Sequence, residues 1–348
     1  MNERENWLRT VEFRNPAHIP CSVGFSFPTW HTHRQNLEAL ILEHPHLFPD
    51  FEPGEHNWDP TTLPVVYRQG EIYTDYWGCT WSNIQHGLEG QVVGHPLADW
   101  YALEAYQMPD PLILNERGPM DWDGAKRRMA ERKHKGQLLS GDGGRLFDRL
   151  YFLRGFENLM LDFATEPPEL ARLIERLEQH SMVIVQKWLE IGVDAVSFHT
   201  DIGTQTSLMI SPAKFRMYIK PLYAHLFQTC RQKGVHVTLS SDGRLLEIVD
   251  DLIECGVSLH DPQLRANTLE GIARHYKGRL CAMVDLDRQG FPFMTPVEIR
   301  DEIHRVVDVM FDPRGGLMLL ASVYGGNVAL ENITAICETL EEICFPSS

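Results

Sequence analysis

The amino-acid sequence predicts an α/β chain folded as a single (β/α)₈ barrel of the TIM type, and three observations carry that prediction. The chain has 348 residues, enough for one barrel of this kind. From about Leu138 onward, short apolar runs that each close on a polar residue alternate with stretches of helical periodicity. Several of those stretches open at proline, as at Pro212 and Pro296, or close at glycine, as at Gly192 and Gly256, the punctuation of helix starts and stops.

Taken in order, residues 19–23 (IPCSV) supply the first strand. Prolines 16, 20, 28, 45, 49, 53, 60 and 64 interrupt the early pattern, so residues 1–135 are expected to be an elaborated region made largely of loops. Within it, residues 72–94 alternate enough to read as a small antiparallel hairpin that covers something, and one further strand completes the count of eight. The regular part, residues 136–348, carries strands at 138–142 (LLSGD), 195–201 (AVSFHTD), 235–242 (VHVTLSSD), 257–261 (VSLHD), 280–287 (LCAMVDLD) and 317–324 (LMLLASVY). Helices are expected at 168–191, 212–233, 245–255, 268–275 and 296–310. Ser211 before Pro212 and Thr295 before Pro296 read as N-caps, and Gly192 and Gly256 as helix stops. No G-x-G-x-x-G follows a strand, so a doubly wound dinucleotide fold lacks its motif, and neither NAD nor flavin is expected.

Charge and composition exclude several function classes. Acidic side chains number 48 against 32 basic, a formal charge of −16 with no basic cluster, which repels phosphate backbones and anionic lipid. No apolar run approaches the ~20 residues of a bilayer span, and the opening MNERENWLRT does not read as a secretory signal, so a cytoplasmic chain is expected. The seven cysteines are scattered and never spaced C-x-x-C, which points to reduced thiols in place of a disulfide framework or a zinc ribbon.

Chemistry in a barrel of this type gathers at the C-terminal ends of the strands. There the sequence places His199 and Asp201, then Ser240, Ser241 and Asp242, then His260 and Asp261, then Asp285, Asp287 and Arg288, and last Ser322 and Tyr324. Asp201, Asp242, Asp287, Arg288 and Tyr324 are the catalytic candidates, with Gln205 and Gln289 beside them for substrate binding. His and Asp from different strands can also meet at about 2.0–2.2 Å around Zn²⁺ or a similar ion. The candidate ligands are His199, Asp201, Asp242 and His260. Strand-end aspartates also cap helices or pair with arginines such as Arg244, Arg265 and Arg288, which accounts for single aspartates and leaves the histidines and the recurrence unexplained. Trp77 and Trp81 in DYWGCTW are candidates for an aromatic wall over a substrate, or for packing of the hairpin onto the barrel.

These residues carry a resemblance. NERENWLRTVEFRNPAHIP, DYWGCTW with GQVVGHPLADW, the PDP at 109–111, DIGTQTSLMISPAKFRMYIKP, SSDGRLLEIVDDLIECGVSLHDPQ, VDLDRQGFPFMTPVEIRDEI and ALENITAICETLEE together resemble the uroporphyrinogen decarboxylase superfamily over nearly the whole chain. The resemblance implies a (β/α)₈ barrel, and either decarboxylation of a porphyrinogen or methyl transfer between a corrinoid protein and a thiol or folate. It also implies a homodimer.

Departures from the family's patterns narrow the choice. The R-Q-A-G-R segment with which true decarboxylases meet their substrate's carboxylates is not reproduced by FPTWHTHRQ at 27–35, and an acidic mouth suits an eight-carboxylate substrate poorly. Where the thiol methyltransferases carry the H-x-C of their zinc site, this chain has Ser240 and Asp242. A thiolate zinc site is therefore not expected, and the His/Asp set with Zn²⁺ or a harder ion takes its place. Three functions follow as expectations. The first is a corrinoid-linked methyltransferase acting on a small substrate, such as a methylated amine, with a corrinoid protein as partner. The second is a decarboxylase or other lyase acting on a small carboxylic acid or a porphyrin-related substrate, with Arg288 holding a carboxylate. The third is a non-catalytic binding relative that has lost its ligands.

Overall fold

The computed structural model describes residues 1–115 and 118–345. Seven parallel strands form among them: β1 (Cys21–Phe25), β2 (Ser140–Arg145), β3 (Ala195–His199), β4 (His236–Ser240), β5 (Leu259–His260), β6 (Cys281–Asp285) and β7 (Leu317–Val323). Each falls at or beside its expected run. Most end one to two residues earlier, because the closing polar residues, Asp201, Asp242, Asp261 and Asp287 among them, leave the ladder. The further strand expected early in the chain is not found as a parallel strand among the described residues; the hairpin region instead forms three short strands, Ile72–Thr74, Thr80–Ser82 and Gln91–Gly94.

The helices Pro168–Ile191 and Pro296–Met310 form over the expected residues. Thr295 and Glu298 make a reciprocal capping box, and Gly192 ends its helix in the left-handed conformation at φ 85°, which glycine adopts without steric cost. The helical segment from Pro212 to Gln232 contains a π turn at Phe215–Ile219. Pro221 lies just beyond it and has no amide to return to the preceding turn, a recognised cause of such a turn.

Residues 1–135 are more helical than expected. Glu3–Val11, Gln35–Glu43 and Trp122–His134 are helices. Glu3–Val11 and Gln35–Glu43 are short, the second lying between Pro28 and Pro45, and Trp122–His134 is too rich in charge to show an apolar stripe; Asp121 starts it by accepting from the Gly124 amide at 2.8 Å.

The chain divides into two compact units. The first comprises Met1–Leu8, Thr74–Trp81 and Val92–Pro262 and holds β2, β3, β4 and β5, each paired in parallel with the next. Phe198 of β3 turns toward the helices, its ring 4.8 Å from that of Phe227. Ser197, its neighbour, therefore lies on the opposite face, with Thr238 and Ser240 of β4 in the same register. The second unit comprises Arg9–Tyr73, Ser82–Gln91 and Gln263–Ser348 and holds β1, β6 and β7, with β7 paired in parallel to both others. β7 reads LMLLASV and is almost entirely buried, as a strand covered on two faces requires.

Candidate functional site

In the first unit the parallel register brings His199 opposite Ser240 at the ends of β3 and β4, and Arg145 of β2 opposite His199. Beneath them runs a hydroxyl ladder on the same face: Thr238 donates to Ser197 at 2.7 Å, and Ser197 lies 2.9 Å from the Ser140 hydroxyl. Above them Asp201 accepts the Asp242 amide at 2.9 Å. Ser240 donates to Asp261 at 2.7 Å, and the other oxygen of that carboxylate accepts the Ser241 amide at 3.1 Å. The loops that carry Asp201 and Asp242 are held together by glycine. A Cβ on Gly243 would stand 2.3 Å from the Gly203 carbonyl carbon.

Asp201 and Asp242 therefore meet on adjoining loops just beyond the strand ends, and His199 closes β3 two residues before Asp201; His199 and Asp242 are exposed. Gln205 is exposed on the loop that follows, in a turn closed by Thr204 and Ser207. His260 does not join them. It is in register with Leu239, on the face opposite to Ser240, and is fully buried, which pushes its pKa down to about 3 and keeps the ring neutral. Its Nε2 stands 4.0 Å from Asp261, whose two oxygens already accept from Ser240 and Ser241. The side-chain period of two separates His260 from the other three proposed ligands. Among the described residues, no group of three or more His, Cys, Asp or Glu side chains is placed to hold a metal ion. The residues present do not fit a resident zinc or a harder ion.

Trp77 and Trp81 are both buried, at 4% exposure. What organises them is Asp75, which sequence reading passed over. Its carboxylate accepts the amides of Trp77 and Cys79 and the Trp81 indole N–H at 2.8–2.9 Å. Arg149 approaches to 3.6 Å and lies over the Trp77 ring at 4.3 Å from its centroid. Trp81 packs edge-on to Phe152. The DYWGCTW motif is thus a tight turn held by one carboxylate.

In the second unit the candidates separate into two groups. Asp287 is held by Arg265 through two hydrogen bonds of 2.8 and 2.6 Å and caps the turn at Gly290. Glu302 accepts the Asp287 amide, and its pKa is raised by burial and by the Asp287 charge. Arg288 stands 3.5 Å from buried Asp285, with its guanidinium 5.4 Å from the centre of the Tyr324 ring. Gln289 is exposed, on the turn between Arg288 and Gly290.

The sequence reading missed the hydroxyl ladder of Ser140, Ser197 and Thr238. It also missed the buried pair Thr200 and Tyr223, whose oxygens lie 2.6 Å apart and whose tyrosine pKa is raised by burial. The signal for the ladder was present. Small hydroxyl residues stand two positions before His199 and two before Ser240, which puts them on the same face.

The C-terminal ends of parallel strands, where these polar side chains lie, are where α/β barrels carry their sites. The chain belongs to the uroporphyrinogen decarboxylase (URO-D) family, whose pattern matches residues 89–343. It is similar to the uroporphyrinogen decarboxylases of two strains of Thermus thermophilus, 25% identical over 266 residues that cover 73% of this chain and 72% of theirs. Its fold matches that of a methyltransferase from Methanosarcina mazei with a TM-score of 0.65 at 17% identity, covering 98% of this chain and 99% of the other. That match shows the expected α/β barrel class. The family and these relatives are enzymes, which supports an enzymatic role for this chain. Among the described residues, no helix is long and apolar enough to cross a membrane.

Proposed function

We propose that this chain is a methyltransferase that moves a methyl group between a small cationic substrate, a methylated amine, and a corrinoid presented by a partner protein. The observation that carries the proposal is the set of His199, Asp201 and Asp242 at adjoining strand ends, two carboxylates and one imidazole with two of the three exposed. A site of that charge favours a substituted ammonium, and it disfavours a polycarboxylate by roughly 1 kcal/mol or more for each like-charge approach at 4 Å. The corrinoid supplies the methyl-carrying chemistry when its protein is docked. In this reading Asp201 faces the ammonium charge, and His199 exchanges the amine's proton as its substitution changes. Neither role requires a metal. The full-length match to a methyltransferase fold supports the reading.

A second reading is favoured by one observation. Arg288, with Tyr324 beside it, could hold the carboxylate of a small acid for decarboxylation.

One experiment separates the two. Purified chain is incubated with reduced free cobalamin and trimethylamine, and the cobalamin absorption spectrum is followed. An amine-dependent spectral change that Asp201→Asn slows is expected. No change with any methylated amine, together with CO₂ release from a small carboxylic acid, would replace the first reading with the second.

A further inference from the structure

The helix Pro168–Ile191 packs on β2 at Trp188 and leaves space toward the far end of the strand. β2 reads Ser-Gly-Asp-Gly-Gly-Arg, so three of its positions bring no side chain. At Gly141 the Trp188 ring takes the space, since a Cβ there would stand 2.4 Å from it. A Cβ on Gly143 would stand 2.6 Å from the Phe198 ring. At Gly144 a Cβ would meet nothing within 4 Å. The ladder also slips between Asp142 and Gly144, leaving Gly143 without a register partner on β3. Such slips commonly re-aim the backbone beside a site. What remains is a cavity of about 50 Å³ that opens to solvent on one side.

Its walls are aromatic and aliphatic. Leu177, Ile184 and Trp188 recur along one face of the helix, and Trp77, Trp122 and Met120 close the other sides. The Trp122 and Trp188 rings meet edge to face, with centroids 5.2 Å apart. Two of the three indoles are anchored by their N–H groups, Trp188 on the Asp142 carbonyl at 2.8 Å and Trp122 on the Leu112 carbonyl at 3.0 Å. These walls are therefore preformed. The polar lining is confined to the β2 edge, with Asp142 and Arg145, and to His180 and Ser181 on the helix. A flat apolar wall of indoles with polar groups along one side matches a planar ring that carries a polar substituent.

We infer that this cavity is a second ligand site, for a neutral aromatic small molecule bearing one carbonyl or hydroxyl oxygen. The ring packs on Trp122 and Trp188, and the oxygen is directed to the polar β2 edge. None of His199, Asp201, Ser240 or Asp242 lines the cavity, so the inference stands apart from the methyl-transfer proposal.

The test uses the full chain and acetophenone as probe, with saturation-transfer NMR on the probe's ring protons and thermal unfolding as the control for folding. Wild type is expected to show saturable transfer. Ile184→Trp, which fills the cavity from a half-buried helix position, is expected to weaken it at least fivefold. Trp122→Ala, which removes a wall, is expected to do the same, and it serves if the first variant does not fold. His199→Ala should leave binding unchanged. Absence of transfer at millimolar probe, binding undiminished in a folded cavity variant, or loss of binding in His199→Ala would each overturn the inference.

Discussion

Gly243 and Gly203 meet backbone to backbone. A Cβ on Gly243 would lie 2.3 Å from the Gly203 carbonyl carbon, and a Cβ on Gly203 would lie 2.8 Å from the Asp242 carbonyl oxygen. This contact sets the spacing of the loops that present Asp201 and Asp242. Gly243 also has φ +91°, a conformation other residues resist.

Gly243→Ala is therefore expected to cost at least about 2 kcal/mol, strain and clash together. Gly192→Ala is the comparison. Its φ is similar, at +85°, but nothing lies within 4 Å, so only the conformational cost of about 1 kcal/mol should appear. Urea denaturation of both variants checks the difference. Equal losses would mean that the loop contact is not what Gly243 provides.

Asp162 holds a buried cation. Arg154 donates to it at 2.7 Å and lies 4.3 Å over the Trp100 ring, while Trp100 donates to the same carboxylate at 3.2 Å. Asp162→Ala leaves the guanidinium in the interior without its counter-charge, and a loss of about 3–5 kcal/mol is expected. Arg154→Met with Asp162→Leu should recover part of it, since an apolar pair avoids the uncompensated charge. Denaturation midpoints of the single and double variants read the result directly.

His260 gives the fold a pH dependence of definite sign. Burial lowers its pKa to about 3, whereas in the unfolded chain it titrates near its ordinary value of 6.5. Below that value the unfolded state binds a proton that the folded state refuses. The stability held by neutral His260 is therefore intact above about pH 6.5 and is lost progressively as the pH falls toward 3. His260→Gln should flatten this part of the stability curve by an amount on the order of a few kcal/mol. The slope between pH 4 and 6.5 is the quantity to compare, because it is independent of any overall loss the substitution causes.

Much of the barrel was legible because parallel strands buried on two faces announce themselves as apolar runs, and proline and glycine mark the helix ends between them. The helices Pro168–Ile191 and Pro296–Met310 show this. The helix Leu330–Cys344 was less evident, because nearly all its faces are buried and the apolar stripe is correspondingly blurred. The site was legible in residue type and less so in direction. His199 and Asp201 were expected on one face from alternation, and Asp242 from its place at the next strand end, though the strand stops at His199 and Asp201 belongs to the loop. His260 was expected beside them and lies on the other face, because its strand is two residues long and one step of register decides its direction. Asp75 was hidden for another reason: it acts on a turn, through the amides and the indole of residues two to six positions along, and no periodicity marks such a role.

Asp201 has one observed contact and one proposed role, which a single substitution separates. One carboxylate oxygen accepts the Asp242 amide at 2.9 Å, which ties the β3 and β4 loops together. Its charge, in the proposed function, faces the substrate. Asn at this position keeps a carbonyl oxygen for the amide and removes the charge. Asp201→Asn is therefore expected to keep stability within about 0.5 kcal/mol, as a substitution that preserves its hydrogen bond should. It should also lower kcat/KM for a cationic methyl donor at least about tenfold, the equivalent of 1.4 kcal/mol of lost transition-state attraction. Asp201→Ala removes both roles and should lose stability as well. If Asp201→Asn retains full kcat/KM while Asp201→Ala does not, the residue serves the loop alone. The substrate's positive charge would then have to be met by Asp242 or elsewhere.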